Sequence, residues 1–381
     1  MKNLAQFQAA WPDALRLCNE AEIDVRRGSM NAATTREGRA DLAYQSEILP
    51  KVSRTFALTI PQLPDPLSEA IGNAYLLCRI ADTVEDEPAL SAQDKQAFLE
   101  RFVEVVEGRA PAPDFAGDLS PLLSTATIEA ERELVANTPK VIRVTHRFRP
   151  VQREAMERCV RIMSLGMAEF QRQATPEGLN DVPALNRYCY HVAGVVGETI
   201  TKLLCDYSPR IGERREELFR LSTSFGQGLQ MVNILKDMWD DRRRGVCWLP
   251  RDVFQAVGSD LSALASRRSN PQFVAGLLGL VGMARDHLLA ALRFTLLIPA
   301  RETGIRRFLL WALGMAVLTL RRINAHPDFT DGSEVKISRQ EVRSTVLVTS
   351  ALARSDQALK LLFDALTRAL PSGTSRLAVG A

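Results

Sequence analysis

The chain is poor in the residues that metal and thiol chemistry most often use. It has four histidines in 381 residues, and none stands at ligand spacing from another, so no zinc centre is expected. Its six cysteines, Cys18, Cys78, Cys159, Cys189, Cys205 and Cys247, are scattered and form no CxxC pair. That pattern fits free thiols in a reducing compartment and excludes a disulfide framework. Net charge is only +3, which gives no reason to expect a nucleic-acid partner. No basic start leads into an apolar segment, so no secretory leader is expected. A membrane-length apolar run is also missing. The longest run, Phe308 to Leu320, lies between Arg306-Arg307 and Arg321-Arg322. It is about one-third short of the ~20 residues that a span needs, so it reads as a buried core helix. Residues 357–381 show no anchor helix either. Together these absences point to a cytoplasmic protein, soluble or at most peripheral at a membrane.

Strand signals are scarce as well. Most segments place apolar residues at three- and four-residue spacing and are rich in Ala, Leu, Arg and Glu, the helical pattern. With 46% hydrophobic and 24% charged residues, the chain can bury a large core. Proline and glycine break the helices near Pro61–Pro66, Gly108–Pro113, Pro176–Pro183, Ser208-Pro209, Gly245–Pro250 and Pro327–Gly332. About a dozen helical stretches result, on the element sizes usual for such patterns. The expected fold is all-α: one helical bundle over 41–365, with tails at 1–40 and 366–381.

Two segments carry chemistry. In the first, Tyr75, Arg79, Asp82 and Asp86 are spaced four, three and four, so they share one helical face, and Glu85 joins its edge. Their neighbours Leu76, Leu77, Cys78, Ile80, Ala81 and Val84 are apolar. In the second, Gln230, Asn233, Asp237 and Asp241 repeat such a face, and Arg242-Arg243-Arg244 follows. Asp240 points about 100° from Asp241 and reads as a solvent or salt-bridge residue. Gly226 and Gly228, just upstream, permit close approach to the backbone. Carboxylates on otherwise buried helices need a polar cavity or cations, because an unpartnered buried ion costs on the order of several kcal/mol. Mg²⁺ prefers hard oxygen ligands and often binds through one or two carboxylates plus substrate phosphates. Arginines suit the same phosphates in bidentate fashion. Two facing carboxylate stripes therefore point to a diphosphate site in which metal and arginine neutralise a departing group.

Four segments together, Ser53-Arg54-Thr55-Phe56, Arg79 to Asp86, Tyr188 to Gly197 and Asn233 to Asp241, resemble the successive signatures of the squalene and phytoene synthases. The resemblance covers roughly residues 40 to 345. It implies an isoprenoid-synthase bundle around a deep central cavity. It also implies a reaction in two halves: two prenyl diphosphates condense to a cyclopropyl intermediate, then the second diphosphate leaves and the skeleton rearranges. Asp82-Thr-Val-Glu85-Asp86 and Val335-Lys336-Ile337 look most like the squalene-synthase branch, which consumes NADPH. Ser338 and Lys236 depart from that pattern, and a reductant-free phytoene, dehydrosqualene or hydroxysqualene-type reaction is the alternative. A non-catalytic prenyl-binding protein would be expected to have lost motif carboxylates, and here all five are intact.

The resemblance also implies roles. Asp82, Glu85, Asp86, Asp237 and Asp241 would hold Mg²⁺. Arg54, Arg79, Gln230, Asn233, Arg243 and Arg244 would bind the prenyl diphosphates, and Arg54, Arg79, Lys236, Lys336 and Arg339 would serve NADPH. Tyr188 would be the general acid/base, with Tyr75 a second phenol at the pocket. Phe56 and Phe308 would wall the carbocation pockets, where an aromatic face stabilises positive charge. His191 reads as structural. An insoluble hydrocarbon product would make peripheral membrane contact useful for its release.

Overall fold

The computed structural model describes residues 36–53, 55–262 and 270–373. By internal packing the chain divides into Met1–Ala40 and Asp41–Ala381. Of the first unit, only the opening residues of one helix are described. The second is a helical bundle. Its longer helices, with the one that leads into it, are α1 (Arg36–Val52), α2 (Asp65–Asp86), α3 (Ala92–Val106), α4 (Ala112–Leu119), α5 (Glu129–Ala136), α6 (Thr138–Thr145) and α7 (Pro150–Gln173). Then follow α8 (Val182–Cys189), α9 (Val195–Tyr207), α10 (Arg215–Arg243), α11 (Pro271–Leu297), α12 (Thr303–Ala325), α13 (Arg339–Leu352) and α14 (Asp356–Thr367). Among the described residues there is no strand. Among those residues the only extended pairing is an isolated bridge between Leu179 and Pro250. The all-α expectation holds, and every proline- or glycine-rich break falls between helices or at the first turn of one.

α10 is the central element. It packs along α11, α9 and α12, while α2 lies against α7, α6 and α9. α10 can come near its neighbours because small residues mark the crossings. A β-carbon on Gly226 would lie 2.0 Å from the Ala193 carbonyl oxygen, and one on Gly197 would lie 2.2 Å from that of Ser222. The close approach expected at Gly226 is therefore helix on helix. Between α8 and α9 the chain makes one π-helical turn, Tyr190–Gly194. Such a turn holds an extra residue and is frequent at functional sites.

α12, the long apolar helix, is a core element, with Phe308, Leu309, Leu310, Leu313, Val317 and Leu320 all buried. Both α11 and α12 are long and apolar enough to cross a membrane by length and composition. The position of α12 inside the bundle accounts for its composition instead. At its start Arg306 is fully buried. It donates to the Ile298 carbonyl at 2.6 and 2.9 Å, to the Ala353 carbonyl at 2.9 Å and to the Asp356 carboxylate at 2.7 Å. One guanidinium thus joins the end of α11 and the start of α12 to the α13–α14 turn. A buried charge is tolerated when its donors are matched in this way.

Candidate active site

A cavity of about 910 Å³ runs through the bundle between α2, α7, the π turn, α9, α10 and α12. Along α2 it is lined by Ile71, Tyr75, Cys78, Arg79, Asp82, Glu85 and Asp86, and along α10 by Ser222, Phe225, Gln230, Asn233, Asp237, Asp240 and Asp241. In both helices the carboxylates occupy the C-terminal turns. That is the unfavourable end for negative charge, since the backbone dipole is already negative there. Arg244 shows that the two ends meet. Its guanidinium reaches Asp86 of α2 at 3.3 Å and Asp241 of α10 at 2.6 Å. The earlier turns of both helices line the apolar remainder with Phe56, Met163, Phe294, Phe308, Leu309 and others. The result is a charged mouth on a long hydrophobic cavity.

The electrostatics of the mouth are unbalanced. Its wall holds six carboxylates, Asp82, Glu85, Asp86, Asp237, Asp240 and Asp241, against three cations, Arg79, Lys95 and Arg244. Arg79 lies 3.6 Å from Asp82 but also pairs with Glu131. Burial, reinforced by Asp86 and Glu131, pushes the Asp82 carboxyl up to about 7 despite Arg79. Burial, with Asp86 and Asp82 adding to it, pushes Glu85 up to about 8, although Gln171 donates to it at 3.2 Å. Burial also raises Asp241. These groups are held near their charged state only at a penalty that an added cation would relieve.

Among the described residues no three histidine, cysteine or carboxylate groups converge to hold a metal ion alone. The donor set nevertheless fits Mg²⁺. It is all oxygen, it sits on two facing walls, and Mg²⁺ commonly takes one or two carboxylates while water and phosphate complete its shell. Asp82, with 31% of its side chain open to the cavity, is well placed for such a ligand.

Tyr188, at the end of α8, lines the cavity beside Val192, Ala193 and Val196 from the π turn and the start of α9. Its ring is stacked on Trp248, with centroids 4.1 Å apart, and meets Phe170 edge-on at 5.2 Å. Burial, then Glu85, raises its phenol well above the ordinary value, so it keeps its proton and can only give it up to a base. Trp248 is held in place by main-chain bonds between two loops: Leu179 N–H to the Leu249 carbonyl at 2.9 Å and Cys247 N–H to that of Thr175 at 3.0 Å. Tyr75 also faces the cavity, but its hydroxyl donates to the Val52 carbonyl at 3.1 Å, and its ring lies 5.1 Å from that of Phe56.

The structure thus brings together Phe56, Tyr75, Arg79, Asp82, Glu85, Asp86, Tyr188, Gln230, Asn233, Asp237, Asp241, Arg244 and Phe308. It does not bring the remainder to the wall. Arg243 is turned to Asp240 and to Asp331, the latter at 3.1 Å, and Lys236 pairs with Asp237 at 3.1 Å. Lys336 and Arg339 are exposed and off the wall. Arg54 lies outside the described residues. Asp240 makes the salt bridge expected of it but also lines the mouth, because the last turn of α10 is at the rim and exposes more than one face. His191 packs over Gly166 and is bonded to the Arg187 carbonyl at 2.8 Å, a structural role as expected. Sequence reasoning missed Lys95, Gln171, Glu131 and the stacking role of Trp248. Of these, only Trp248 sits in a segment that had drawn notice.

The profile of the squalene/phytoene synthases matches residues 49–341. The chain belongs to the squalene/phytoene synthase family. Within the family it is similar to the squalene synthase of Eremothecium gossypii, with 26% identity over 80% of this chain and 67% of that protein. The family fold is matched by TcSQS in complex with a ligand: 22% identity, 87% of this chain and 98% of that one, TM-score 0.66. It is matched also by a dehydrosqualene synthase with bound ligand: 20% identity, 83% and 98% coverage, TM-score 0.63. Its match to squalene-synthase relatives and neighbours places the chain in this family as most like the squalene synthases.

Proposed function

We propose that this protein is a squalene synthase. It would condense two farnesyl diphosphates head to head to presqualene diphosphate, then convert that to squalene with NADPH. The observation that carries the reading is the latched pair of carboxylate walls at the mouth of the 910 Å³ apolar cavity. Diphosphates would bind at the mouth and prenyl chains would fill the remainder. A bound Mg²⁺, held by Asp82, Glu85 and Asp86 on one wall and Asp237 and Asp241 on the other, would add positive charge against the departing diphosphate. Arg79 and Arg244 would contribute fixed charge to the same end, and Gln230 and Asn233 hydrogen bonds. Tyr188, protonated and fixed by its stack on Trp248, would give its proton to the diphosphate oxygen and receive one from carbon as the ring closes. Phe56 and Phe308 would present ring faces to the cation and, with their apolar neighbours, exclude water.

NADPH would supply hydride at the end of the second half. The Lys336 loop supports this part, because it packs on the acidic end of α10. Trp239 donates to the Phe329 carbonyl at 2.7 Å, and a β-carbon on Gly332 would lie 2.9 Å from the Lys236 carbonyl and 3.4 Å from Asp237. The exposed position of Lys336 and Arg339 off the wall favours a second reading, in which the reaction ends without reductant. Product analysis by gas chromatography–mass spectrometry separates the two. Purified protein would be given farnesyl diphosphate and Mg²⁺, with and without NADPH. Squalene only with NADPH is the expected result. Dehydrosqualene or hydroxysqualene regardless of NADPH would establish the second reading. No diphosphate release from either C15 or C20 substrate would overturn both.

A further inference from the structure

α7 presents a stripe of sulfur to the cavity. Cys159, Met163 and Met167, each four residues after the last, line its wall, and Gln171 continues the same face toward the mouth. Cys78 lines the wall from α2, which packs against α7. Among the described residues, Cys78 and Cys159 are the cysteines that reach the cavity. Cys189, Cys205 and Cys247 are buried away from it. Neither the carboxylate walls nor Tyr188 makes use of the two cavity thiols.

These thiols meet across the α2–α7 contact. Both are free, and Cys78 donates a hydrogen bond to the Cys159 sulfur. Their surroundings give them unlike characters. The bond from Cys78, with Thr199 and the charge of Arg158 in support, holds Cys159 below the ordinary thiol value against its burial. The same bond, then burial, holds Cys78 well above it. Burial raises the other three described cysteines. A thiolate is the nucleophile in sulfur chemistry, and a protonated thiol in contact with it is placed to resolve the product. The pair is also within reach of the entrance. Cys78 stands four residues before Asp82, about 6 Å further in along α2. A small polar oxidant entering the charged mouth meets the pair within about one helical turn.

We propose that Cys78 and Cys159 form an oxidisable dithiol, a modification site for hydroperoxides inside the cavity. The Cys159 thiolate attacks a peroxide oxygen, the O–O bond breaks, hydroxide leaves and Cys159 becomes a sulfenic acid. The Cys78 sulfur then attacks Cys159. An S–S bond forms, the S–O bond breaks, and the Cys78 proton leaves with the hydroxyl as water. Counting the proton that Cys159 had given up, two thiols and one hydrogen peroxide become one disulfide and two waters. Each sulfur loses one electron and the peroxide gains two. Exchange with a reducing dithiol restores the pair, as for other transient disulfides in reducing compartments. The S–S bond, about 2.05 Å long, would draw this turn of α2 toward α7. Arg79, the next residue, and Asp82, one turn on, would move with it. The expected loss of turnover rests on the cavity's reading as a prenyl-diphosphate site, whereas the cross-link does not.

The test is mild oxidation of the reduced, intact chain with hydrogen peroxide. Free thiols should fall by two from six. The non-reduced peptide map should join residues 78 and 159, and dithiothreitol should reverse both changes. Diphosphate release should fall on the order of 10²-fold with the cross-link, the scale of a misplaced binding face, and return with dithiothreitol. Cys78→Ser should stop Cys159 at the sulfenic acid, which dimedone captures. Cys159→Ser should leave Cys78 reduced and keep its own untreated turnover through the oxidant. The proposal is overturned if all six thiols survive, if the bridge joins another pair, or if dimedone finds no Cys159 adduct in Cys78→Ser. Sulfoxide at Met163 or Met167 without the bridge would also overturn it. A bridge formed with full turnover would remove its effect on the cavity. A chain that releases no diphosphate even before oxidation would fail the reading of function, and the peptide map would still decide the dithiol.

Discussion

On α10, each mouth carboxylate has a cation from its own helix end beside it: Lys236 for Asp237, Arg243 for Asp240 and Arg244 for Asp241. On α2, Arg79 is shared between Asp82 and Glu131, while Lys95 is engaged by the main-chain carbonyl of Glu85 and not by its carboxylate. Burial, with little cationic charge to offset it, holds Asp82 at about 7 and Glu85 at about 8. The same residue types on facing helices thus do different work. The α10 wall thus carries a cation of its own beside each carboxylate. The α2 wall is the one that calls for an outside cation.

The most damaging way to probe this asymmetry is Asp82→Asn, expected to lower Mg²⁺-dependent diphosphate release about 10²–10³-fold, the scale of losing one electrostatic stabiliser. Pyrophosphate release across a Mg²⁺ titration would measure it. Unchanged release would remove Asp82 from the metal site. Next comes the latch. Arg244→Ala leaves Asp86 and Asp241 facing each other without their shared cation, so substrate KM should rise about tenfold with a smaller change in kcat. A fall in kcat alone would mean that Arg244 acts only once the diphosphate is leaving.

A third variant uses a contrast within α2's own end. Glu87 is two residues beyond Glu85, yet it accepts from the Ala89 N–H at 2.8 Å, the Ser124 N–H at 2.9 Å and the Thr127 hydroxyl at 2.6 Å. Burial would raise its carboxyl, but these bonds outweigh burial and hold it at about 2. A value below the ordinary one means that its contribution to stability is complete above about pH 4.5 and fades as the pH falls toward 2. Glu87→Gln should cost on the order of 2 kcal/mol near neutral pH and flatten the acid side of the melting-temperature profile. The smallest effect is expected from Asp240→Asn, within about threefold in turnover, because Arg243 keeps Asp331 as a partner. If Asp240→Asn matched Asp82→Asn, the two walls would be equivalent and the comparison would fail.

The bundle was legible because its signals are local. Helical period and the six proline- or glycine-rich breaks depend on neighbours in the chain, and the helices end where those residues stand. The carboxylate stripes were legible for the same reason, since one helical face collects residues three and four apart. What stayed hidden was set by packing between distant segments. Glu131 meets Arg79 across 52 residues, and Gln171 meets Glu85 across 86. Neither belongs to a pattern along its own helix. The glycine at 226 announced close approach without saying to what; the partner proved to be the backbone of the neighbouring π turn. Lys336 and Arg339 show the limit from the other side, for a motif can be plain in sequence while its side chains stand off the cavity wall.

The π turn at Tyr190–Gly194 also acts as a phase adjuster. Each residue of an ordinary helix advances the azimuth by about 100°, so one residue absorbed in a wide turn resets which way everything after it looks relative to everything before. Tyr188 before the turn and Val196 after it both face the cavity under the present setting. Deleting one residue between 190 and 194 would tighten the turn without breaking the helix. The molecule would register that deletion as a rotation, in which Tyr188 and the face of α9 could no longer look into the same space.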